Sequence, residues 1–209
     1  LMSFRIEEKL YIRPENLINF KEFILSKSAK KIHKPRKVKS LYFDNANMDM
    51  YSDSVEGIVP RKKIRIREYP DTEDRKSYLE IKHSSVEGRF KTRNIIDNKT
   101  KDFHKKAGCF DNRYGLCLPN FYVQYDREYL IINDVRISID QNIIYKNFKT
   151  NYSQKDKNCI IEIKTSIEFI TNNPKENSLL INAISAEEKS ELMDKHLKVI
   201  LKRLSQNNT

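Results

Sequence analysis

The stretch Arg61–Pro70, RKKIRIREYP, constrains the fold of this chain most tightly. Ile64 and Ile66 alternate with Lys63, Arg65 and Arg67. Successive side chains of a strand point to opposite faces. The segment therefore offers one apolar face to a core and one row of fixed cations to something else. Water is the ordinary destination of such a row, and one strand alone does not decide.

The alternation recurs in six more segments. Glu7 and Lys9 share a face, as do Glu80 and Lys82, Lys91 and Arg93, Tyr125 and Arg127, and Glu162 and Lys164. Arg136, Ser138 and Asp140 share another, opposite Val135, Ile137 and Ile139. Solvent-facing sheets usually mix neutral polar residues with charges, whereas here the pattern is Glu-x-Lys, Lys-x-Arg and Arg-x-Arg. A sandwich would turn these faces outward, with Glu80–Lys82 and Glu162–Lys164 serving as cross-strand salt bridges. A closed antiparallel barrel of about eight strands would turn them into a charged lumen, its outer apolar face covered by helices. Such a lumen calls for a compact polyanion, because arginine grips phosphate bidentately and lysine adds point charge. Interleaved carboxylates fit Mg²⁺ or Mn²⁺ held between themselves and phosphate oxygens.

The rest of the chain is consistent with one α+β domain over residues 1–209. FRIEEKLYI (4–12) predicts a strand, and Pro14 opens a helix with Leu17, Phe20, Phe23 and Ile24 at helical spacing. KKIHKPRK reads as a basic loop, VKSLYFDN as a strand, and residues 97–120 as irregular or partly helical. FYVQYDREYLII and VRISIDQNIIY pair across an Asn133-Asp134 turn. TNYSQKDKN reads as a loop and CIIEIKTS as a last strand. A helical tail is expected at about 175–205, where Met193, Leu197, Ile200, Leu201 and Leu204 form an apolar stripe.

Composition narrows the partners. The net charge of +11 favours polyanions. No apolar run approaches a membrane span and no secretory signal is visible, so a cytoplasmic location without a membrane segment is expected. Cys109, Cys117 and Cys159 form no CxxC or paired framework, and the four histidines have no zinc spacing. The four glycines make neither a P-loop nor a GxGxxG turn, so phosphate would have to be held by side chains. Tryptophan is absent and the cations follow strand faces, which argues against nucleic acid as a partner.

RIEEK, SLYFDN, KIRIR, YLEIK, FKTR, YDREY, VRISID and IIEIK occur in an order that resembles the triphosphate tunnel metalloenzymes (CYTH-like proteins). Within them the chain is most similar to the VTC domain, the polyphosphate polymerase branch. The resemblance implies a closed tunnel of eight antiparallel strands with flanking helices, binding ATP, triphosphate or polyphosphate with Mn²⁺ or Mg²⁺. It implies phosphate ligands at Lys9, Arg65, Arg67, Lys82, Lys91, Arg93, Tyr125, Arg127, Arg136 and Lys164, of which Arg65, Arg67, Lys82 and Lys164 serve catalysis. Glu162, Glu7 and Glu80 are the implied metal carboxylates, and Asp140 is expected to orient Arg136. Many hydrolytic members carry ExExK in the first strand, whereas this chain has Arg5-x-Glu7-x-Lys9. That departure suits a phosphotransferase adding the γ-phosphate of ATP to a polyphosphate chain. A triphosphatase or short-chain polyphosphatase and a non-catalytic polyphosphate binder are the alternatives.

Overall fold

The computed structural model describes residues 5–132 and 135–166. In chain order they form β1 (Arg5–Ile12), α1 (Leu17–Ser26), β2 (Lys30–Asp44), α2 (Asp49–Glu56), β3 (Arg61–Glu68), β4 (Ser77–Ser85) and β5 (Gly88–Ile96). Then come α3 (Asn98–Ala107), β6 (Cys109–Asp111), β7 (Gly115–Ile132), β8 (Val135–Asn147), β9 (Ser153–Lys155) and β10 (Cys159–Ser166). Hydrogen-bonded neighbours follow the path β1-β10-β8-β7-β2-β3-β4-β5, with β6 on β7 and β9 on β8. The antiparallel α+β architecture is as expected, but two features correct the eight-stranded closed barrel. The sheet has ten strands, and its path ends on β1 and β5 without a described pairing between them. The two extra strands, β6 and β9, are three-residue pieces inside the segments read as irregular or partly helical and as a loop. The expected Asn133-Asp134 turn and C-terminal helix lie outside the described residues. No described helix is long and apolar enough to cross a membrane.

The described chain divides into two compact units, residues 5–36, 125–143 and 155–166 in one and 37–124 and 144–154 in the other. In the first, β1 pairs with β10 and β10 with β8. Their apolar faces supply Ile12, Ile137, Ile139, Ile161 and Ile163, which close against Leu17, Phe20 and Ile24 of α1. Those three helix residues recur at i, i+3 and i+7, which puts them on one stripe.

In the second unit, β2, β3, β4 and β5 pair in succession. Leu41, Phe43, Ile64 and Ile66 form its core with Met50, Tyr114 and Cys117. Asp44 ends β2 and starts α2. Its carboxylate accepts from the amides of Asn45, Met50 and Tyr51 at 2.9–3.0 Å, which fills donors that a helix start leaves open. Asp44 and Asn45 of SLYFDN thus accept from the first amides of α2, whose N-cap position is Met48.

Three segments differ from the sequence reading. KKIHKPRK is the first half of β2, not a loop. The stretch 97–120 contains α3, β6 and the start of β7, and TNYSQKDKN contains β9. Gly108 joins α3 to β6 at φ +82°, ψ −164°, a region that is essentially restricted to glycine. A Cβ there would lie 2.5 Å from the Cys117 carbonyl oxygen. Gly57 is also left-handed, at φ +73°, but nothing lies within 4 Å of its Cβ position. Gly108→Ala is expected to cost at least about 2–3 kcal/mol, and Gly57→Ala about 1–2 kcal/mol. Urea unfolding of the two variants checks this; equal losses would contradict the close approach.

Candidate functional site

Register settles what the cations of RKKIRIREYP face. Across β2, β3, β4 and β5 one row aligns Tyr42, Arg65, Glu80 and Arg93. A second row aligns Lys63, Lys82 and Lys91, and a third Ser40, Arg67, Tyr78 and Ile95. These rows hold six cations and one carboxylate. The lysines of the second row are exposed, and Lys91 donates to Glu80 of the first.

Arg65 and Arg67 are each 8% exposed, which removes water as their destination. Arg65 Nε and Nη2 reach Glu80 Oε2 at 2.8 and 2.6 Å, and Arg65 Nη1 donates to Tyr42 Oη at 2.9 Å. Lys91 donates to Glu80 Oε1 at 2.6 Å, and Arg93 Nε lies 3.4 Å from the same oxygen. Arg67 Nε donates to the buried Ser40 Oγ at 3.0 Å. The Arg93 guanidinium lies 3.7 Å from the centre of the Tyr78 ring, a cation–π contact. Tyr42 stacks on Phe121 at 5.1 Å.

Burial alone would push the Glu80 carboxyl up. Arg65 beside it, with hydrogen bonds from Lys91 and Arg65, instead holds it at about 2. Burial would also raise Tyr42, but Arg65 and Arg67 bring its phenol down to about 7. Arg65 in turn is held charged, against the effect of burial, by Tyr42 and Glu80.

The other unit carries a second cluster. Lys9, Glu162 and Ser138 align across β1, β10 and β8, and beside them Glu7, Lys164 and Arg136. Glu162 is buried, with Lys164 Nζ 3.3 Å and Lys9 Nζ 3.8 Å from its oxygens. Lys164 also lies 3.8 Å from Glu7. Arg127 grips Asp140 with two bonds, Nε to Oδ1 at 2.5 Å and Nη2 to Oδ2 at 2.6 Å. Its guanidinium lies 5.0 Å from the Tyr125 ring centre. Asp140 therefore orients Arg127, not Arg136 as expected; Arg136 is exposed and aligned with Lys164. Adjacency along one strand suggested the wrong partner, because the pair forms between neighbouring strands.

Glu7 hydrogen-bonds to Glu162. That bond, with burial, raises Glu7. Glu162 is pushed up by burial but drawn down to about 2 by the bond from Glu7 and by Lys9, Lys164 and Arg127. Two carboxyl groups thus lie side by side at a place that would accept another cation. Mg²⁺ and Mn²⁺ take few carboxylates when phosphate oxygens and water complete the shell, so Glu7 and Glu162 fit such an ion. Among the described residues no cluster of three or more acidic, histidine or cysteine side chains is placed to hold one. Both oxygens of Glu80 are engaged by Arg65, Lys91 and Arg93.

Sequence reasoning missed Ser40, Tyr42 and Tyr78. The signal was present: Ser40 and Tyr42 alternate along SLYF at strand period, and Tyr78 stands two residues before Glu80.

A model of the VTC domain matches residues 4–200. Among curated proteins, Holliday junction branch migration complex subunit RuvA from Prochlorococcus marinus (strain NATL1A) is 37% identical over 140 residues. That match covers 66% of this chain and 53% of the relative. The protein of the same name from strain NATL2A is 67% identical over 48 residues, 23% of this chain and 21% of the relative. The chain thus spans about half the length of the first relative and less of the second. Among solved structures, a Bacillus halodurans protein provisionally described as an adenylate cyclase superposes with TM-score 0.58 at 12% identity, covering 91% of this chain and 96% of that one. A Vibrio parahaemolyticus protein of the same description gives TM-score 0.57 at 11% identity, covering 95% and 99%. At these identities the likeness is one of fold.

Glu80 generates a pH prediction. A carboxyl held at about 2 against an ordinary 4.5 contributes about 3 kcal/mol. That contribution is complete above pH 4.5 and is lost as pH falls through the folded value. Glu80→Gln is expected to cost about 3–5 kcal/mol at pH 7, because it leaves Arg65 buried without its carboxylate. The gap between parent and variant in urea unfolding should narrow as pH drops below 4.5. A gap that stays constant would show that the ion pair is not its source.

Proposed function

The chain belongs to the VTC domain family, and from that premise we propose that it is a metal-dependent phosphotransferase of the polyphosphate polymerase type. Its reaction is transfer of the γ-phosphoryl of ATP to a phosphate chain. The observation that carries this reading is the like-charge row Lys63–Lys82–Lys91 beside the buried Arg65 and Arg67. With six cations to one carboxylate, the three rows suit a ligand with closely spaced negative charges.

In this reading Arg65, Arg67, Lys82, Lys91 and Arg93 bind phosphate oxygens and neutralise charge on the transferred group. Lys9, Tyr125, Arg127, Arg136 and Lys164 are the phosphate ligands of the other cluster. Glu80 acts by holding Arg65, Lys91 and Arg93 in place. Glu7 and Glu162 are the residues that would hold Mn²⁺ or Mg²⁺, whose chemistry is to offset charge on phosphate oxygens. The acceptor is a terminal phosphate that is already anionic at neutral pH, so no strong base is needed. Catalysis then rests on positioning and charge stabilisation.

One observation favours a second reading, hydrolysis of triphosphate. Water as acceptor must lose a proton, and Tyr42, brought to about 7 among Arg65 and Arg67, is a group able to take it. The Holliday junction in the names of the Prochlorococcus relatives is a statement about those proteins. No feature of the three charged rows reads a base.

Incubation with γ-³²P-ATP and Mn²⁺, resolved on a gel, separates these reactions. A ladder of labelled chains is the expected result; labelled phosphate without a ladder would replace transfer by hydrolysis. Lys82→Ala gives a second test. It should weaken tripolyphosphate binding by about tenfold. Unchanged binding would remove the row from the site.

A further inference from the structure

The first half of β2 is exposed along its length, as β5 is from Arg89 to Ile95. From Lys30 to Pro35 every residue is exposed, although strands of a packed sheet ordinarily bury one face. The sequence there, KKIHKP, offers no alternating apolar residues for a core. Its charge is one-sided: between Glu22 and Asp44 the chain has no acidic residue. Other cations of the same unit sit beside carboxylates, as in Lys9–Glu162, Arg127–Asp140 and Lys164–Glu7. Among the described residues Lys30 and Lys34 have no such partner. The acid that Lys31 acts on is Glu128, whose Oε1 already accepts from Lys21 and Gln141.

The segment is also held in a fixed shape. Arg36 Nε donates to Tyr129 Oη at 2.9 Å, and its guanidinium lies 4.8 Å from the centre of that ring. The His33 ring meets the same tyrosine edge-on at 5.5 Å. An extended segment of seven residues is about 20 Å long. Lys30, Lys31, Lys34 and Arg36 are therefore cations spread along a straight, ordered rail.

We infer that Lys30–Arg36 is a second polyanion-binding surface, which holds phosphates of a long polyphosphate chain that the candidate site does not engage. This rests on the proposed function for the identity of the chain. A linear ligand with charge at every unit matches a linear row of cations. Single-stranded nucleic acid draws much of its affinity from bases stacked on open aromatic faces, and the aromatic ring here, Tyr129, is occupied by Arg36 and His33. Membrane surfaces favour basic segments with several large apolar anchors, and Ile32 is the one large apolar residue of the rail.

The test compares the full chain with the variant Lys30→Ala/Lys31→Ala/Lys34→Ala in binding tripolyphosphate and long-chain polyphosphate at two salt concentrations. The variant should bind the long chain about tenfold more weakly or worse and with a shallower salt dependence, since phosphate contacts are lost. Its affinity for tripolyphosphate should stay at the parent value, which also reports that it folds. Equal affinity for the long chain in both proteins overturns the inference, as does a parallel loss for both ligands. A Holliday junction DNA or an anionic vesicle that displaces long-chain polyphosphate from the parent but not from the variant, at equal charge concentration and with tighter binding, overturns the choice of occupant. Failure of the proposed function shows separately, as tripolyphosphate binding that is absent from the parent. A long-chain loss confined to the variant would then still support the rail.

Discussion

Glu80 carries the organisation of its unit. It has no exposed surface, yet it remains ionised because Arg65, Lys91 and Arg93 surround its two oxygens. A carboxylate buried alone would be protonated or would disrupt the sheet, and a guanidinium buried alone would be as costly. Each makes the other tolerable. Since one carboxylate serves three cations, the cluster keeps an excess of positive charge; Lys91 and Arg93 are exposed, whereas Arg65 and Arg67 lie in the drier interior. Electrostatic attraction there is stronger than at a wet surface. The ion pair thus permits a basic site inside a sheet whose other face is isoleucine.

The second cluster is balanced differently. Glu7, Glu162 and Asp140 stand among Lys9, Lys164 and Arg127, so the charges nearly cancel. What is distinctive is that Glu7, raised by its neighbour and by burial, lies beside Glu162. The first strand of the cluster carries Glu7 and Lys9, which pair in register with Lys164 and Glu162. The charge balance of the two clusters therefore differs: excess cations in one, near neutrality in the other.

Much of this was legible because strand geometry is periodic. Reading every second residue placed Arg65 with Arg67, Glu80 with Lys82, and Glu162 with Lys164 on shared faces, with Ile64, Ile66, Ile161 and Ile163 opposite. What periodicity does not contain is register. It could not align Lys63 with Lys82 and Lys91, or give Asp140 to Arg127, because those neighbours are fixed by pairing between strands. Tyr42 and Ser40 were hidden for a related reason: each is ordinary in a strand until Arg65 and Arg67 are set opposite. The exposed half of β2 was misread as loop because a strand with no apolar face leaves no alternation to find.

Aromatic residues sharpen what the basic rows recognise. Tyr42 is stacked on Phe121, and Tyr78 is covered by the Arg93 guanidinium. Each has a face already used, so neither offers the open platform on which a nucleobase would stack. Recognition in the proposed reaction then falls on phosphate charge and spacing. That suits an enzyme whose two substrates, ATP and a phosphate chain, share phosphates and little else. A site built to grip adenine would serve the donor and exclude the acceptor. Rows of lysine and arginine admit both, and discrimination is left to how many phosphates the ligand brings.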